Sequence, residues 1–103
     1  MRLEPCDSVV LATTASTTVV DGECIVHGVI LAPAAASCTV SLYDPPIGVM
    51  TTTGATLKIV VSGAANGVSA GYNGSGSGLK FLNGCVAVVT GAGAQATIVH
   101  AHI

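Results

Sequence analysis

The stretch FLNGCVAVVTGAGAQATIVHAHI, residues 81–103, contains no Asp, Glu, Lys or Arg. A run of this length without formal charge is typical of a membrane span, of a buried pair of strands, or of a surface that another subunit covers. A membrane helix needs about 20 mainly apolar residues, and this run is interrupted by Asn, Gln, Gly and His. The pattern instead predicts a β-hairpin, with strands at 84–90 and 95–103 joined by a turn through Gly91 and Gly93.

The same pattern of short β-branched runs separated by Gly, Pro, Asn or Asp recurs upstream. Candidate strands lie at 8–13, 17–20, 24–31, 38–43, 57–62, 67–72 and 79–82. About seven or eight short strands at this spacing are typical of a single antiparallel β-sandwich or jelly roll. The predicted fold class is therefore all-β.

The first seven residues differ in composition from the remainder of the chain. They hold three of its eight charged residues, whereas only 8% of the whole chain is charged. We expect residues 1–7 to form an extended N-terminal arm, either solvated or tied down on a neighbouring molecule. The β-sandwich domain is predicted to span 8–103.

The composition predicts a thin core and a covered surface. Half of the 103 residues are hydrophobic, but only three are aromatic, so the apolar mass comes from Val, Ala, Leu and Ile. A small domain with such a core usually needs disulfides, metal or oligomerisation. Because charge is so sparse, we expect self-association. A net charge of −2 with only three fixed cations excludes a nucleic-acid partner, and the interrupted apolar runs exclude a membrane partner.

The four cysteines match no metal or redox motif, since they lie at 6, 24, 38 and 85 without any C-x-x-C pair. The N-terminal stretch carries Glu4, Pro5 and Asp7 where a secretory signal would be apolar. Free thiols are expected, and export is not supported.

The strand at 24–31 is apolar on both faces apart from His27, which is typical of a strand covered on both sides or lying at a subunit interface. By contrast, 38–44 alternates apolar and polar residues, as expected for a strand with one face in the core. The candidate residues for contact with another molecule are Leu3, Val9, Val10 and Leu11 near the arm, and Val29 and Leu31 in the doubly apolar strand.

No motif predicts catalysis, a cofactor or a metal ion. GVSAG at 67–71 matches the G-x-S-x-G nucleophile motif, but Ser69 is followed by no Asp or Glu and the chain has no α/β pattern. His100 and His102 project to one face of a strand and could supply two metal ligands with His27 as a third. A polar strand end or an intersubunit contact explains them better. We expect a protein that is not an enzyme.

Three segments together resemble a known family: TVSLYD (39–44), GLKFLNGCVAVVTG (78–91) and ATIVHAHI (96–103). This arrangement is similar to the small all-β head decoration, or cement, proteins and related capsid accessories of tailed bacteriophages. The resemblance implies a β-sandwich or jelly roll that binds the major capsid protein on the outside of an assembled head, often as a trimer. It implies no catalytic residues.

An alternative from another class is a tail or spike adhesion module that binds host-surface glycan. Such a module needs a concave polar or aromatic patch. With three aromatic residues and no Trp, a sugar-stacking surface is hard to build.

Overall fold

The structure is a computed structural model that describes residues 7–73 and 78–102. These residues form nine strands and no helix, which confirms the predicted all-β fold class. The strands are β1 (Asp7–Ala12), β2 (Thr14–Asp21), β3 (Cys24–Ala32), β4 (Cys38–Asp44), β5 (Thr56–Gly63), β6 (Ala70–Asn73), β7 (Leu79–Phe81), β8 (Gly84–Thr90) and β9 (Gln95–His102). Residues 1–6, and Leu3 with them, lie outside the described residues, so the arm stays a prediction. Asp7 is the first residue of β1.

The first strand pairs with the last, the second with the one before the last, and so on toward the middle of the sequence, and all ladders are antiparallel. β1 pairs with β9, β2 with β8, β3 with β6 and β7, and β4 with β5. β6 and β7 lie end to end along the same edge of β3. Further ladders between β3 and β9 and between β4 and β8 complete a first sheet, β1-β9-β3-β6/β7, and a second sheet, β2-β8-β4-β5.

The predicted strands overlap the observed ones, and the largest differences have local causes. β2 is longer than the four residues predicted, because the more polar residues 14–18 also pair along β8 despite two register shifts. β6 starts later than the predicted position 67, because Gly67 donates its N–H to the Ala64 carbonyl and closes a turn there.

The core lies between the two sheets and is almost entirely aliphatic. It is formed by inward-facing residues of both sheets, with Phe81 as its largest side chain. The fully buried large residues include Val26, Val29, Leu31, Phe81 and Ile98 of the first sheet and Val40, Leu42 and Val89 of the second.

A β-bulge at His27 changes the direction in which β3 side chains point. Val26 is opposite His100 and Gly28 is opposite Val99, so His27 is the additional residue. Cys24 and Val26 point inward before the bulge, and Val29 and Leu31 point inward after it. Without the bulge, strict alternation would place these two pairs on opposite faces.

The two ends of the sandwich differ in charge. One end, here called the charged end, contains the turns at 22–23, 45–55 and 82–83 and both termini of the described chain. The opposite, uncharged end contains Thr13 and the loops at 33–37, 64–69 and 91–94. All six charged residues of the described chain lie in the half nearer the charged end: Asp7, Asp21, Glu23, Asp44, Lys58 and Lys80.

Hydrogen bonds to one carboxylate tie the charged end together. Asp44, the last residue of β4, accepts the backbone N–H groups of Leu82 and Asn83 at 2.9 and 3.0 Å. The Asn83 side-chain amide donates to the Pro45 carbonyl at 3.0 Å, and the Asn83 backbone carbonyl accepts the Gly22 N–H. The end of β4 is thereby fixed against the turn between β7 and β8.

Candidate contact surface

The motif residues considered for chemistry are not brought together by the fold. Ser69 lies in the exposed loop 64–69 at the uncharged end, where the described chain has no Asp, Glu or His. His27 is the bulge residue of β3, whereas His100 is buried on the inner face beside Val26. Within residues 7–73 and 78–102, no three His, Cys, Asp or Glu side chains lie close enough to hold a metal ion.

Cys24, Cys38 and Cys85 are buried free thiols. Burial raises the pKa of Cys24 from its ordinary value of 9.0 to about 11, with smaller contributions from the negative charges of Asp44 and Glu23. Burial also raises the pKa of Cys85, followed by the effects of Cys24 and Asp44. Because a thiolate is the reactive form, these two thiols are inert at neutral pH.

The outer face of the first sheet carries a row of uncharged residues that includes two exposed apolar side chains. Val10 of β1, Thr97 of β9, Ile30 of β3 and Gly71 of β6 are successive register partners across this sheet. Val10 is 59% exposed and Ile30 is 50% exposed. This Val10 row contains no formal charge.

The predicted contact residues fall into three groups. Leu3 lies outside the described residues. Val9 and Leu11 are partly buried and pack against the core from the inner face of β1, while Val10 between them points outward.

Val29 and Leu31, predicted to contact a subunit or the capsid, are 0% exposed and belong to the core. This corrects their expected role, because neither offers surface to another molecule. The bulge at His27 is the physical reason, since it turns both side chains inward. Ile30 presents the outer face of β3 instead.

Other exposed apolar residues were not predicted from sequence. Val68 in the loop 64–69 is 89% exposed, and Ile47 in the loop 45–55 is 85% exposed. Both follow turn signals, Asn66-Gly67 and Pro45-Pro46. Since turns lie at the surface, an apolar residue directly after such a signal could have been recognised as exposed.

The four sheet edges are not equally regular. β2 has two register shifts, β5 has one at Lys58, and the opposite edge of the first sheet is divided between β6 and β7. At this shift the Lys58 side chain reaches Phe81, and its Nζ lies 5.9 Å from the centroid of the ring, within the range of a cation–π contact. β1 pairs with β9 through six consecutive residues without a shift, so it is the regular edge of the described chain.

Aromatic side chains do not form an exposed platform among the residues whose side chains the structure describes. Phe81 is fully buried, and Tyr43 on the outer face of the second sheet is partly buried. A sugar-stacking site normally uses open aromatic faces.

The described residues include no helix with the length and apolarity to cross a bilayer. No protein-family model matches this sequence, and comparison with curated proteins gives no match.

Proposed function

We propose that this chain is a structural protein of a tailed-bacteriophage virion, a decoration or cement protein that binds the major capsid protein on the outer surface of the head. It would be made in the host cytoplasm during assembly. The proposal draws on the resemblance of 39–44, 78–91 and 96–103 to that family. Asp44 in the first of these segments accepts hydrogen bonds from Leu82 and Asn83 in the second, so these parts of the resemblance meet at one place in the fold.

We further infer that the sandwich is a jelly roll. In a jelly roll, a long antiparallel hairpin is rolled up so that its successive strand pairs belong alternately to two sheets. The order β1-β9-β3-β6/β7 opposite β2-β8-β4-β5 has this arrangement when β6 and β7 are counted as one interrupted strand. Jelly rolls are common in viral capsid proteins, which favours the proposal at the level of fold alone.

The distribution of charge is the observation that carries the proposal. An interface core is depleted of charged residues, because burying an ion without a partner is unfavourable. The uncharged end meets this requirement, since its loops are built from Ala, Gly, Ser, Pro, Asn and one exposed Val68, with Thr13 between β1 and β2. We assign shell contact to this end.

The mechanism is stabilisation by mass action. A protein that binds neighbouring capsomers in the assembled shell favours that state over separated subunits. The predicted arm, limited to residues 1–6 because Asp7 begins β1, would reach an adjacent molecule from the charged end. The resemblance favours a trimer for the self-association that this proposal includes.

The test is co-sedimentation of the purified chain with undecorated phage heads. We expect binding at micromolar protein. Val68→Glu should weaken binding at least about tenfold, because it places a charge in the contact. Ile47→Glu, an equally exposed change at the charged end, is the matched control and should bind normally.

Absence of sedimentation with heads at micromolar chain would contradict the proposal. If the chain instead bound host-surface glycan and ignored heads, the adhesion alternative would replace it. If Val68→Glu and Ile47→Glu bound heads equally well, the proposed binding to heads would stand, but the uncharged end would not be the contact.

A further inference from the structure

The edge strand β1 has few of the features that usually protect a sheet edge. Natural proteins protect edges with bulges, prolines, charged residues or very short strands. β1 has six residues in unbroken register with β9, contains no Pro or Lys, and carries its one charge at its first position, Asp7. The other three edges are bulged or interrupted.

We propose that β1 pairs with β1 of a second copy of this chain, antiparallel and across a two-fold axis that passes midway between the two Val10 residues. In an antiparallel pair, residues that lie opposite each other point to the same face of the sheet. A two-fold axis perpendicular to the sheet therefore pairs one residue of β1 with the same residue of the second copy. Centring on Val10 places it beside Val10 of the second copy on the outer face. Val9 then lies opposite Leu11 of the second copy on the inner face, and Ser8 lies opposite Ala12.

The surface is complementary to itself in this register. Val10 is 59% exposed in the single chain, and pairing covers it with an identical apolar side chain. Val9 and Leu11 are only partly covered by their own core and would cover each other across the new ladder. The Val10 row of one copy then continues into the Val10 row of the second copy, which gives one uncharged row across the joined first sheets.

Charge does not oppose this contact. In the same register Asp7 lies opposite Thr13 of the second copy. The two Asp7 positions are six residues apart along the ladder, about 20 Å at roughly 3.3 Å per residue. That exceeds the screening length of about 8 Å at physiological ionic strength.

The proposal concerns the free chain and does not rest on the proposed function. Its two-fold contact differs from the trimer that the family resemblance favours. The mass of the particle in solution therefore decides between the two arrangements.

The first experiment is a mass measurement by light scattering on the full chain. We expect twice the chain mass of 10.0 kDa at about 100 μM, a concentration that nearly fills an interface with micromolar Kd. Val10→Lys should return the mass to that of one chain, because two ammonium groups would meet at the axis. Val60→Lys is the matched control: Val60 is 48% exposed on the other edge strand, β5, and its variant should remain dimeric.

The second experiment tests the register and does not depend on Val10→Lys folding. In a Cys6→Ser background, Val10→Cys places two thiols opposite each other, with Cα atoms about 4.5–5.5 Å apart. This lies within the range of about 4.4–6.8 Å for disulfides. Dissolved oxygen would oxidise the two thiols to one S–S bond and be reduced to water. We expect rapid covalent dimer from Val10→Cys and little from Val60→Cys.

A single-chain mass at about 100 μM, or a three-chain mass, would overturn the proposal. So would dissociation by Val60→Lys with Val10→Lys still dimeric, or equal cross-linking of the two cysteine variants.

Discussion

The two ends of this sandwich are held together by different physical means. At the charged end, a carboxylate and an amide side chain satisfy the backbone of two turns, through Asp44 and Asn83. At the uncharged end, the Asn66 N–H donates to the Ala34 carbonyl and the Thr13 hydroxyl donates to the Gly91 carbonyl. Small residues also let the loops approach closely there, since a Cβ at Gly91 would be 2.6 Å from atoms of Ser37 and Cys38. The charged end therefore depends on a carboxylate and an amide side chain, and the uncharged end depends on close approach of backbone atoms.

The largest expected difference between the ends comes from glycine substitution. Gly91 has φ +105° and Gly22 at the charged end has φ +115°, so alanine is strained at both. Only Gly91 also has close neighbours, whereas nothing lies within 4 Å of a Cβ at Gly22. We expect Gly91→Ala to lower the free energy of unfolding by roughly 3 kcal/mol or more, and Gly22→Ala by about 1–2 kcal/mol. Urea unfolding of both variants measures this, and equal losses would contradict the packing argument.

The next effect is at Asp44. Asp44→Ala leaves two backbone N–H groups without their acceptor, so the free energy of unfolding should fall by about 1–3 kcal/mol. Asp44→Asn keeps one acceptor oxygen and should lose less. Asp21→Ala removes an exposed carboxylate at the same end and is the control. If Asp21→Ala were as harmful as Asp44→Ala, net charge would be the cause instead of the hydrogen bonds.

The third prediction is a loss of stability at high pH that originates near the charged end. The folded pKa of Cys24 is raised from 9.0 to about 11 by burial and by Asp44 and Glu23. A raised folded pKa contributes stability that is fully present below the unfolded pKa and is lost as pH rises through the folded value. The urea concentration at the unfolding midpoint should therefore decrease as the pH is raised from about 9 to about 11. Cys24→Ala should show a shallower fall, and an unchanged slope in that variant would refute this origin.

The smallest expected effect is that of the ion pair between Lys80 and Glu23. Their charged atoms are 3.0 Å apart, and both side chains are largely exposed. Exposed pairs usually contribute less than about 1 kcal/mol, so Glu23→Gln should change the midpoint of urea unfolding only slightly. In high salt the difference between Glu23→Gln and the unmodified chain should disappear. A large change would mean that ion pairing, and not the Asp44 network, stabilises the charged end.

Much of the fold could be predicted because it depends on local patterns. Alternation in 38–44 and the Gly-rich turn before 95 placed β4 and β9 correctly, since strand periodicity and turn chemistry are properties of neighbouring residues. The contact surface could be predicted less well. Val10 is exposed, but Val29 and Leu31 are core residues, because one additional residue at His27 reverses the facing of everything after it.

Composition and local alternation were enough to predict an all-β chain that is poor in charge, because both are properties of residues and their near neighbours. Three features became visible in the folded chain alone: the six described charges lie nearer one end, Asp44 meets Asn83 across 39 positions of chain, and β1 is the regular edge. These depend on which strands pair and in what register. Pairing joins residues far apart in sequence, so no local pattern specifies it.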